Sequence, residues 1–191
     1  SGPNGMRPAA VLPEQTPDGK TLLYIRRAGP TGNSIYALPL SGGGKPEEVV
    51  APPSTNGNII DFRISPDGHW LVYTSNESGQ LTVFLVPYPN ASAGKWQVST
   101  NGGQFPCWRG DSKEIFYFGT DNRAYAVAFD GSGAQPQVGT PRPLFEIPNT
   151  AFNGFYEVMP DGKRFILNRV PEQTSTPISL LVNWQESLKK N

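Results

Sequence analysis

The sequence predicts an all-β fold, a β-propeller of four four-stranded antiparallel blades, because one turn and the short strands around it repeat along the chain. A Pro-Asp-Gly turn occurs at residues 16–19, 65–68 and 159–162, and a looser copy occurs at residues 109–112. Successive copies are about 45 residues apart, which is the period of a propeller blade. Short apolar runs bounded by Gly, Pro, Asn and Asp follow each turn, and such runs are typical of strands.

The composition fits a single domain of this kind. The chain has 191 residues, enough to bury a sizeable core in one domain. Hydrophobic residues make up 37% of it and charged residues 17%, while 21 glycines and 20 prolines exceed average usage. This profile suits short strands joined by many turns.

Each repeat is predicted to form one antiparallel meander, with strands A to D running from the centre of the propeller outwards. The predicted A strands are 59–64, 104–108 and 154–158; the B strands are 21–27, 70–75, 114–118 and 164–169; the C strands are 34–40, 81–87, 123–129 and 178–183; and the D strands are 47–50, 96–99 and 144–147. The blades accordingly span about 9–50, 58–99, 104–147 and 154–184, followed by a tail, 185–191. Such sheets are apolar on both faces, so they must stack on copies of themselves.

The repeated turn has a mechanical explanation. Proline presets the first turn angle, aspartate accepts a hydrogen bond from the backbone two residues further on, and glycine adopts the positive φ that closes the hairpin between strands A and B. The turn aspartates are Asp18, Asp67, Asp111 and Asp161. Because each lies in its own turn on a different blade, we interpret them as structural residues and not as metal ligands.

Several stretches resemble a known family. The Ser-Pro-Asp-Gly turn followed by an apolar B strand resembles TolB-type, WD-repeat-like propellers. The segments 70–75, 86–89 and 94–99, with the tail 177–190, resemble more narrowly the C-terminal blades of propellers attached to bacterial serine/threonine protein kinases. The chain has neither a Gly-rich phosphate loop nor a kinase catalytic loop, so kinase activity is not implied. The resemblance implies an appended sensing or interaction module outside the cytoplasmic membrane, although those propellers have more blades.

The fourth blade is predicted to lack its outer strand. Residues 184–191 are too polar for a D strand, and residues 1–8 are too rich in glycine and proline to supply one from the N-terminus. An open edge and an uncovered blade face invite pairing with another chain. One solution is a homodimer that joins head to tail into an eight-bladed ring, and another is a four-bladed ring closed within one chain. Other assemblies stay open as well.

Charged residues are expected along the central channel. One position of strand A holds Glu14, Arg63, Cys107 and Glu157 in successive repeats, and strand A lines the channel of a propeller. Charges there must be paired or hydrated. An ion pair between blades, joining Arg63 to Glu14 or Glu157, is one interpretation, and a ligand site in the channel is the other.

The mouth of the channel is the predicted ligand site. Asp61 lies on the same strand face as Arg63 and aligns with Phe105 and Phe155, so it is a channel carboxylate without an obvious repeat partner. The loops on this side are rich in amides, and amides that converge with aromatic rings can bind a small polar molecule or a peptide. The candidate ligand-binding residues are Asn58, Asp61, Arg63, Asn101, Gln104, Asn153 and Tyr156.

Two classes of function fit this arrangement. The leading hypothesis is a non-catalytic binding or sensor module that needs no cofactor. The alternative is a hydrolase of ester or phosphoester substrates, with Asp61 and Glu157 as candidate catalytic residues and as ligands of a divalent metal, since oxygen ligands can hold such an ion without histidine. His69 is the only histidine, and it occupies a turn position filled by lysine in the other repeats, which favours a surface residue over a catalytic base. Cys107 is interpreted as a half-buried structural thiol.

Charge and hydropathy argue against two classes of partner. Sixteen basic residues balance sixteen acidic ones without clustering, so nucleic acid is not expected as a partner. No apolar run approaches the roughly 18 residues that would span a bilayer, so membrane insertion is not expected. Residues 1–7 lack an apolar signal core, so the sequence itself predicts a soluble, cytoplasmic chain, whereas the resemblance implies a periplasmic one.

Overall fold

The computed structural model describes residues 13–27, 32–52, 57–147 and 152–169, which form short β-strands and one 3₁₀ turn, Ala91–Ala93. The strands are β1 (Glu14–Gln15), β2 (Thr21–Arg27), β3 (Asn33–Pro39), β4 (Glu47–Val50), β5 (Ile59–Ile64), β6 (Trp70–Ser75), β7 (Thr82–Pro87), β8 (Trp96–Gln97), β9 (Gln104–Trp108), β10 (Glu114–Phe118), β11 (Arg123–Asp130), β12 (Gln137–Val138), β13 (Arg142–Glu146), β14 (Phe152–Val158) and β15 (Phe165–Arg169). Within these ranges no helix is long and apolar enough to cross a membrane.

The strands group into blades as the repeat predicts. The first sheet has the order β1-β2-β3-β4 and the second has the order β5-β6-β7-β8. In the third sheet β9, β10 and β11 lie side by side, and both β12 and β13 pair with β11. In the fourth blade β14 pairs with β15, whereas its predicted C strand, 178–183, and the residues of its predicted open edge lie outside the described residues. The fold is a β-propeller of antiparallel blades.

All four hairpins between strands A and B close in the same way. In each, the fourth turn residue donates its N–H to the carbonyl of the first over 2.8 to 3.0 Å. This fourth residue has a positive φ, which is 72° at Gly19, 77° at Gly68, 60° at Ser112 and 71° at Gly162. Each turn aspartate accepts the N–H two residues further on, at 3.1 Å in the first three turns and 3.0 Å in the last. The predicted turn mechanism is confirmed, and the third copy keeps it although serine replaces glycine.

The hydrophobic core lies between the blades. The junction of the first and second blades buries Leu23, Ile35, Phe62, Leu71 and Tyr73, among others. The junction of the second and third blades buries Val72, Val83, Leu85, Trp108, Ile115 and Phe129, among others. The junction of the third and fourth blades buries Cys107, Phe118, Ala124, Ile147 and Tyr156. Neighbouring residues of one strand therefore face opposite junctions, which is why the strands are apolar on both faces.

The inner strands β5 and β9 each contain a β-bulge, and the two bulges differ in position by one residue. Asp61 of β5 pairs with Thr74, and Gln104 of β9 pairs with Phe118. Thr74 and Phe118 occupy the same position of strand B, so Gln104 is the register equivalent of Asp61. The expected alignment of Asp61 with Phe105 is therefore wrong by one residue, because Phe105 belongs to the bulge and has a φ of 55°.

Candidate functional site

One position of the inner strand, strand A, is equivalent in all four blades and holds the residues predicted to line the channel. Glu14, Arg63, Cys107 and Glu157 pair in register with equivalent residues of the four B strands. Burial lowers the pKa of Arg63, but the carboxylates of Glu14, Glu157 and Asp61 act in the opposite direction, Glu14 most strongly, and the pKa is raised overall. These charges therefore act on one another. We use the name inner cluster for the side chains of Glu14, Asp61, Arg63, Cys107, Tyr156 and Glu157.

Arg63 and Glu14 form an ion pair between the first and second blades. Arg63 Nε lies 3.2 Å from Glu14 Oε1, and the two side chains are 30% and 22% exposed. Glu14 Oε2 accepts the Ile64 N–H over 2.8 Å. Burial raises the pKa of Glu14, although the Arg63 charge acts in the opposite direction. The ion pair expected from the sequence is present, with Glu14 as the partner.

Asp61 is a buried carboxylate that bonds to the next blade. Its Oδ2 accepts the Phe105 N–H over 3.1 Å. Its Oδ1 and the hydroxyl of its register partner Thr74 are both buried, and neither meets hydrogen-bond geometry within the described part of the chain. Burial raises the pKa of Asp61 to about 6, while the adjacent Thr74 hydroxyl, the Arg63 charge and the Phe105 N–H act in the opposite direction.

Tyr156, in the fourth blade, also forms a hydrogen bond to Phe105. Its hydroxyl donates to the Phe105 carbonyl over 2.6 Å and lies 3.4 Å from the Phe116 carbonyl. Its ring stacks on Phe118, with 4.3 Å between ring centroids. Burial raises the pKa of Tyr156 well above its ordinary value. The hydroxyl is therefore a neutral donor engaged inside the protein.

Cys107 is more deeply buried than expected. Only 8% of the residue is exposed, and it packs in the junction of the third and fourth blades. Burial raises the pKa of the thiol to about 11, although the Arg63 charge acts in the opposite direction. A protonated, buried thiol is inert, in agreement with a structural role.

Asn58 braces two blades with its side chain and backbone. Its Oδ1 accepts the Asn33 N–H of the first blade over 3.2 Å. Its own N–H donates to Asn76 Oδ1 over 2.7 Å. The side-chain oxygen of this candidate ligand-binding residue is thus used to hold the first and second blades together.

The remaining candidate amides lie around the same inner strands. Asn101 is exposed, and its carbonyl accepts the Thr120 hydroxyl over 3.0 Å. Gln104 begins β9 and is half-buried. The side chains of Asn153 and Phe155 lie outside the described residues.

The two candidate catalytic carboxylates are in different environments. Asp61 is buried and uses one oxygen to bond to the backbone, whereas Glu157 is exposed. In the ranges that the structure describes, no three His, Cys, Asp or Glu side chains are grouped so that they could hold a metal ion. His69 is exposed beside its turn, as expected.

A groove of about 490 Å³ lies between the third and fourth blades, on the side chains of strands B and D. It is lined by Glu114, Phe116, Arg142, Leu144, Phe145, Gly162, Lys163, Phe165 and Leu167. The Glu114 carboxylate forms ion pairs at the edge of this groove, with the guanidinium of Arg142 at 3.3 Å and that of Arg109 at 3.1 Å. The turn motif could not reveal this groove, because it depends on how β13 packs beside β15.

Solved structures of known proteins share this fold. The chain is similar to TolB from Acinetobacter baumannii, with 21% identity, a TM-score of 0.51 and coverage of 84% of this chain and 43% of that one. It is similar to a protein assigned as TolB from Agrobacterium tumefaciens, with 17% identity, a TM-score of 0.53 and coverage of 85% and 61%. It is also similar to a protein assigned as a 6-phosphogluconolactonase from Bacteroides uniformis, with 16% identity, a TM-score of 0.56 and coverage of 87% and 50%.

These likenesses establish a TolB-like β-propeller fold and nothing finer, because the identities are low. The chain spans about half the length of these three structures. No protein-family model and no curated protein sequence matches it.

Proposed function

We propose that this chain is a non-catalytic binding module of the sensor or interaction type, and that the inner cluster is its ligand surface. The ligand is a small polar molecule or a peptide that carries a positively charged group. The observation that carries this proposal is Glu157, an exposed carboxylate on an inner strand that forms no ion pair within the described part of the chain.

The charge balance of the inner cluster supports a cationic ligand. The cluster contains the carboxylates of Glu14, Asp61 and Glu157 and a single guanidinium, that of Arg63. Arg63 is already paired with Glu14, so its charge is neutralised locally. A surface with a net negative charge concentrates cations near it. An ammonium or guanidinium group would therefore bind at Glu157, next to the half-exposed ion pair.

The other reactive groups of the inner cluster support binding over catalysis. The Cys107 thiol has a pKa of about 11, and the Tyr156 hydroxyl donates to a backbone carbonyl. One Asp61 oxygen accepts a backbone N–H. These groups stabilise the junctions between blades, which leaves Glu157 as the side chain best placed to contact a ligand.

Titration with two short peptides tests this function. N-acetyl-Gly-Lys-Gly-amide is the probe, and N-acetyl-Gly-Glu-Gly-amide is its matched control. We expect the lysine peptide alone to shift the amide resonances of β1, β5, β9 and β14 in two-dimensional NMR spectra. Glu157→Gln should weaken binding about tenfold by removing a charge-assisted contact. Glu47→Gln, at an exposed carboxylate of the outer strand β4, should not weaken it.

Two results would contradict the proposal. One is equal binding of both peptides, and the other is an unchanged affinity in Glu157→Gln. Turnover of p-nitrophenyl acetate or p-nitrophenyl phosphate would instead establish the alternative, a hydrolase. If that turnover were lost in Asp61→Ala and kept in His69→Ala, the hydrolytic site would lie in the inner cluster.

A further inference from the structure

Two buried oxygen atoms of the second blade lie on neighbouring strands, and neither has a hydrogen bond. Asp61 of β5 and Thr74 of β6 are register partners, so their Cβ atoms are about 5 Å apart. Asp61 is 9% exposed and Thr74 is 0% exposed. Within the described ranges neither Asp61 Oδ1 nor Thr74 Oγ1 meets hydrogen-bond geometry. One small molecule beside the two strands can therefore contact both atoms.

Both oxygens need a hydrogen-bond partner. Burying a polar group without one is unfavourable, and most buried side-chain polar atoms bond to the protein or to ordered water. The ionised carboxylate of Asp61 only accepts hydrogen bonds, whereas the Thr74 hydroxyl both donates and accepts. A molecule that satisfies the pair must therefore donate to the carboxylate.

The donors of the third and fourth blades near Asp61 are already engaged. The Phe105 N–H donates to the other carboxylate oxygen, Asp61 Oδ2, over 3.1 Å. The Trp108 indole N–H donates to the Arg63 carbonyl over 3.4 Å. The Tyr156 hydroxyl donates to the Phe105 carbonyl over 2.6 Å. None of these three donors is left for Asp61 Oδ1, which favours a partner from outside the chain.

The position of Thr74 holds a much larger side chain in the third blade. Phe118 has the equivalent place there, and its ring stacks on Tyr156 of the fourth blade with 4.3 Å between centroids. Threonine is smaller than phenylalanine by more than about 30 Å³, the volume that one molecule takes in liquid water. The second blade therefore leaves space at this position for a molecule of that size.

Water fits this pair of atoms best. It can donate one hydrogen to the carboxylate oxygen and form a second hydrogen bond with the hydroxyl, which satisfies both. A calcium or magnesium ion needs about six oxygen ligands. In the described part of the chain no three His, Cys, Asp or Glu side chains are grouped to hold a metal ion.

We propose that Asp61 Oδ1 and Thr74 Oγ1 bind one internal water molecule in the junction between the second and third blades. The water gives the carboxylate a second hydrogen bond beside that from the Phe105 N–H. It thereby fixes the carboxylate that holds the bulge at Phe105. Thr74 is accordingly a positioning residue, which acts on Phe105 through the water and Asp61.

Oxygen-17 magnetic relaxation dispersion of the full chain tests this proposal, because it counts water molecules that stay bound far longer than surface water. We expect Thr74→Val, which replaces the hydroxyl by a methyl group of similar size, to lose one long-lived water. Thr82→Val is the matched control. Thr82 is also buried, but its hydroxyl bonds to Ser78 Oγ at 2.8 Å and lies 3.3 Å from the Gln80 carbonyl. This variant should keep the wild-type number, and circular dichroism checks that both variants are folded.

A crystal structure of the wild type decides the question without any variant. We expect a water molecule about 2.5–3.0 Å from both Asp61 Oδ1 and Thr74 Oγ1. A Thr74 hydroxyl that donates directly to Asp61 Oδ1, with no water on either atom, overturns the proposal. So does a folded Thr74→Val protein with as many long-lived waters as the wild type.

Discussion

Asp61 of the second blade accepts the backbone N–H of Phe105 in the third blade, with 3.1 Å between Oδ2 and N. Phe105 has a φ of 55°, although the residue before a proline normally has an extended backbone. Its carbonyl accepts the Tyr156 hydroxyl of the fourth blade over 2.6 Å. One bulged residue is therefore held by both neighbouring blades, which is how an unfavourable conformation worth about 1–3 kcal/mol persists.

Asp61→Asn is expected to remove a pH dependence of stability. Since burial raises the pKa of Asp61 to about 6, the folded state binds this proton more tightly than the unfolded chain does. The wild type should therefore lose roughly 3 kcal/mol of unfolding free energy between about pH 4 and about pH 7. Asparagine keeps an oxygen for the Phe105 N–H and should not show this loss in urea unfolding.

Asp18→Asn is the matched control for that experiment. Asp18 is exposed, and hydrogen bonding to the Thr16 hydroxyl lowers its pKa. Its carboxylate therefore favours the folded state as pH rises through the acidic range, which is the opposite sense to Asp61. Equal pH profiles for wild type and Asp61→Asn would contradict the assignment of the raised pKa to Asp61.

Ser112 is expected to show two opposing effects on stability. Its Oγ accepts the Asp67 N–H of the second blade over 3.0 Å, but its φ of 60° is unfavourable for a residue with a Cβ. Ser112→Ala should lower the unfolding free energy by about 1–2 kcal/mol, because the hydrogen bond is lost and the strain stays. Ser112→Gly should be about 1 kcal/mol more stable than Ser112→Ala, because the strain is relieved.

Gly68→Ala isolates the cost of strain at the same turn position. A Cβ at Gly68 would meet only Pro17, at 3.5 Å, so its φ of 77° is the main penalty. We expect a loss of about 1 kcal/mol in urea unfolding. If Ser112→Gly were no more stable than Ser112→Ala, the left-handed backbone would not be a strain in this turn.

The sequence predicts the strands best where the turn motif marks their ends. Of the strands that border the turns, β2, β5, β6, β9 and β10 have the predicted bounds. The short strand β12, Gln137–Val138, was missed because a polar, proline-containing segment carries no strand pattern. It forms because β11 is long enough to pair with it beyond β13, through Phe129 and Val138. Cooperation of this kind depends on tertiary structure and leaves no local signal.

The sequence predicts only part of the inner cluster, because part of it depends on the tertiary structure. The strand A charges follow from the repeat, and so does an ion pair of Arg63 with Glu14 or Glu157, of which the structure contains the pair with Glu14. The Phe105 bulge does not, since counting from the turn assumes a regular ladder and a bulge shifts the register by one residue. The burial of Tyr156 could not be foreseen either, because its hydroxyl bonds to the backbone carbonyl of the bulged residue Phe105.

Cys107 is expected to resist thiol reagents in the folded protein. With a pKa of about 11, only about one thiol in a thousand is ionised near pH 8, and the residue is 8% exposed. Ellman's reagent should therefore react with the folded chain at the rate of its unfolding, and at once in denaturant. Full reaction of the folded protein within the mixing time would show that the junction of the third and fourth blades opens readily.

Asp61→Ala and Tyr156→Phe are expected to be energetically coupled through Phe105. Tyr156→Phe alone should lower the unfolding free energy by about 1–2 kcal/mol, because the hydrogen bond from its hydroxyl to the Phe105 carbonyl is lost. Once either hydrogen bond is removed, the bulge can relax. The remaining hydrogen bond then contributes less to the unfolding free energy. The double variant should therefore lose about 1 kcal/mol less than the sum of the single losses in urea unfolding.

A second double-mutant cycle supplies the control for this coupling. Tyr156→Phe and Ser112→Ala share no hydrogen-bond partner, since Ser112 bonds to Asp67 and Tyr156 bonds to Phe105. Their losses should add within about 0.5 kcal/mol. If the losses of Asp61→Ala and Tyr156→Phe also added, the two bonds would act independently, and the bulge at Phe105 would have to be stabilised by its own packing in β9.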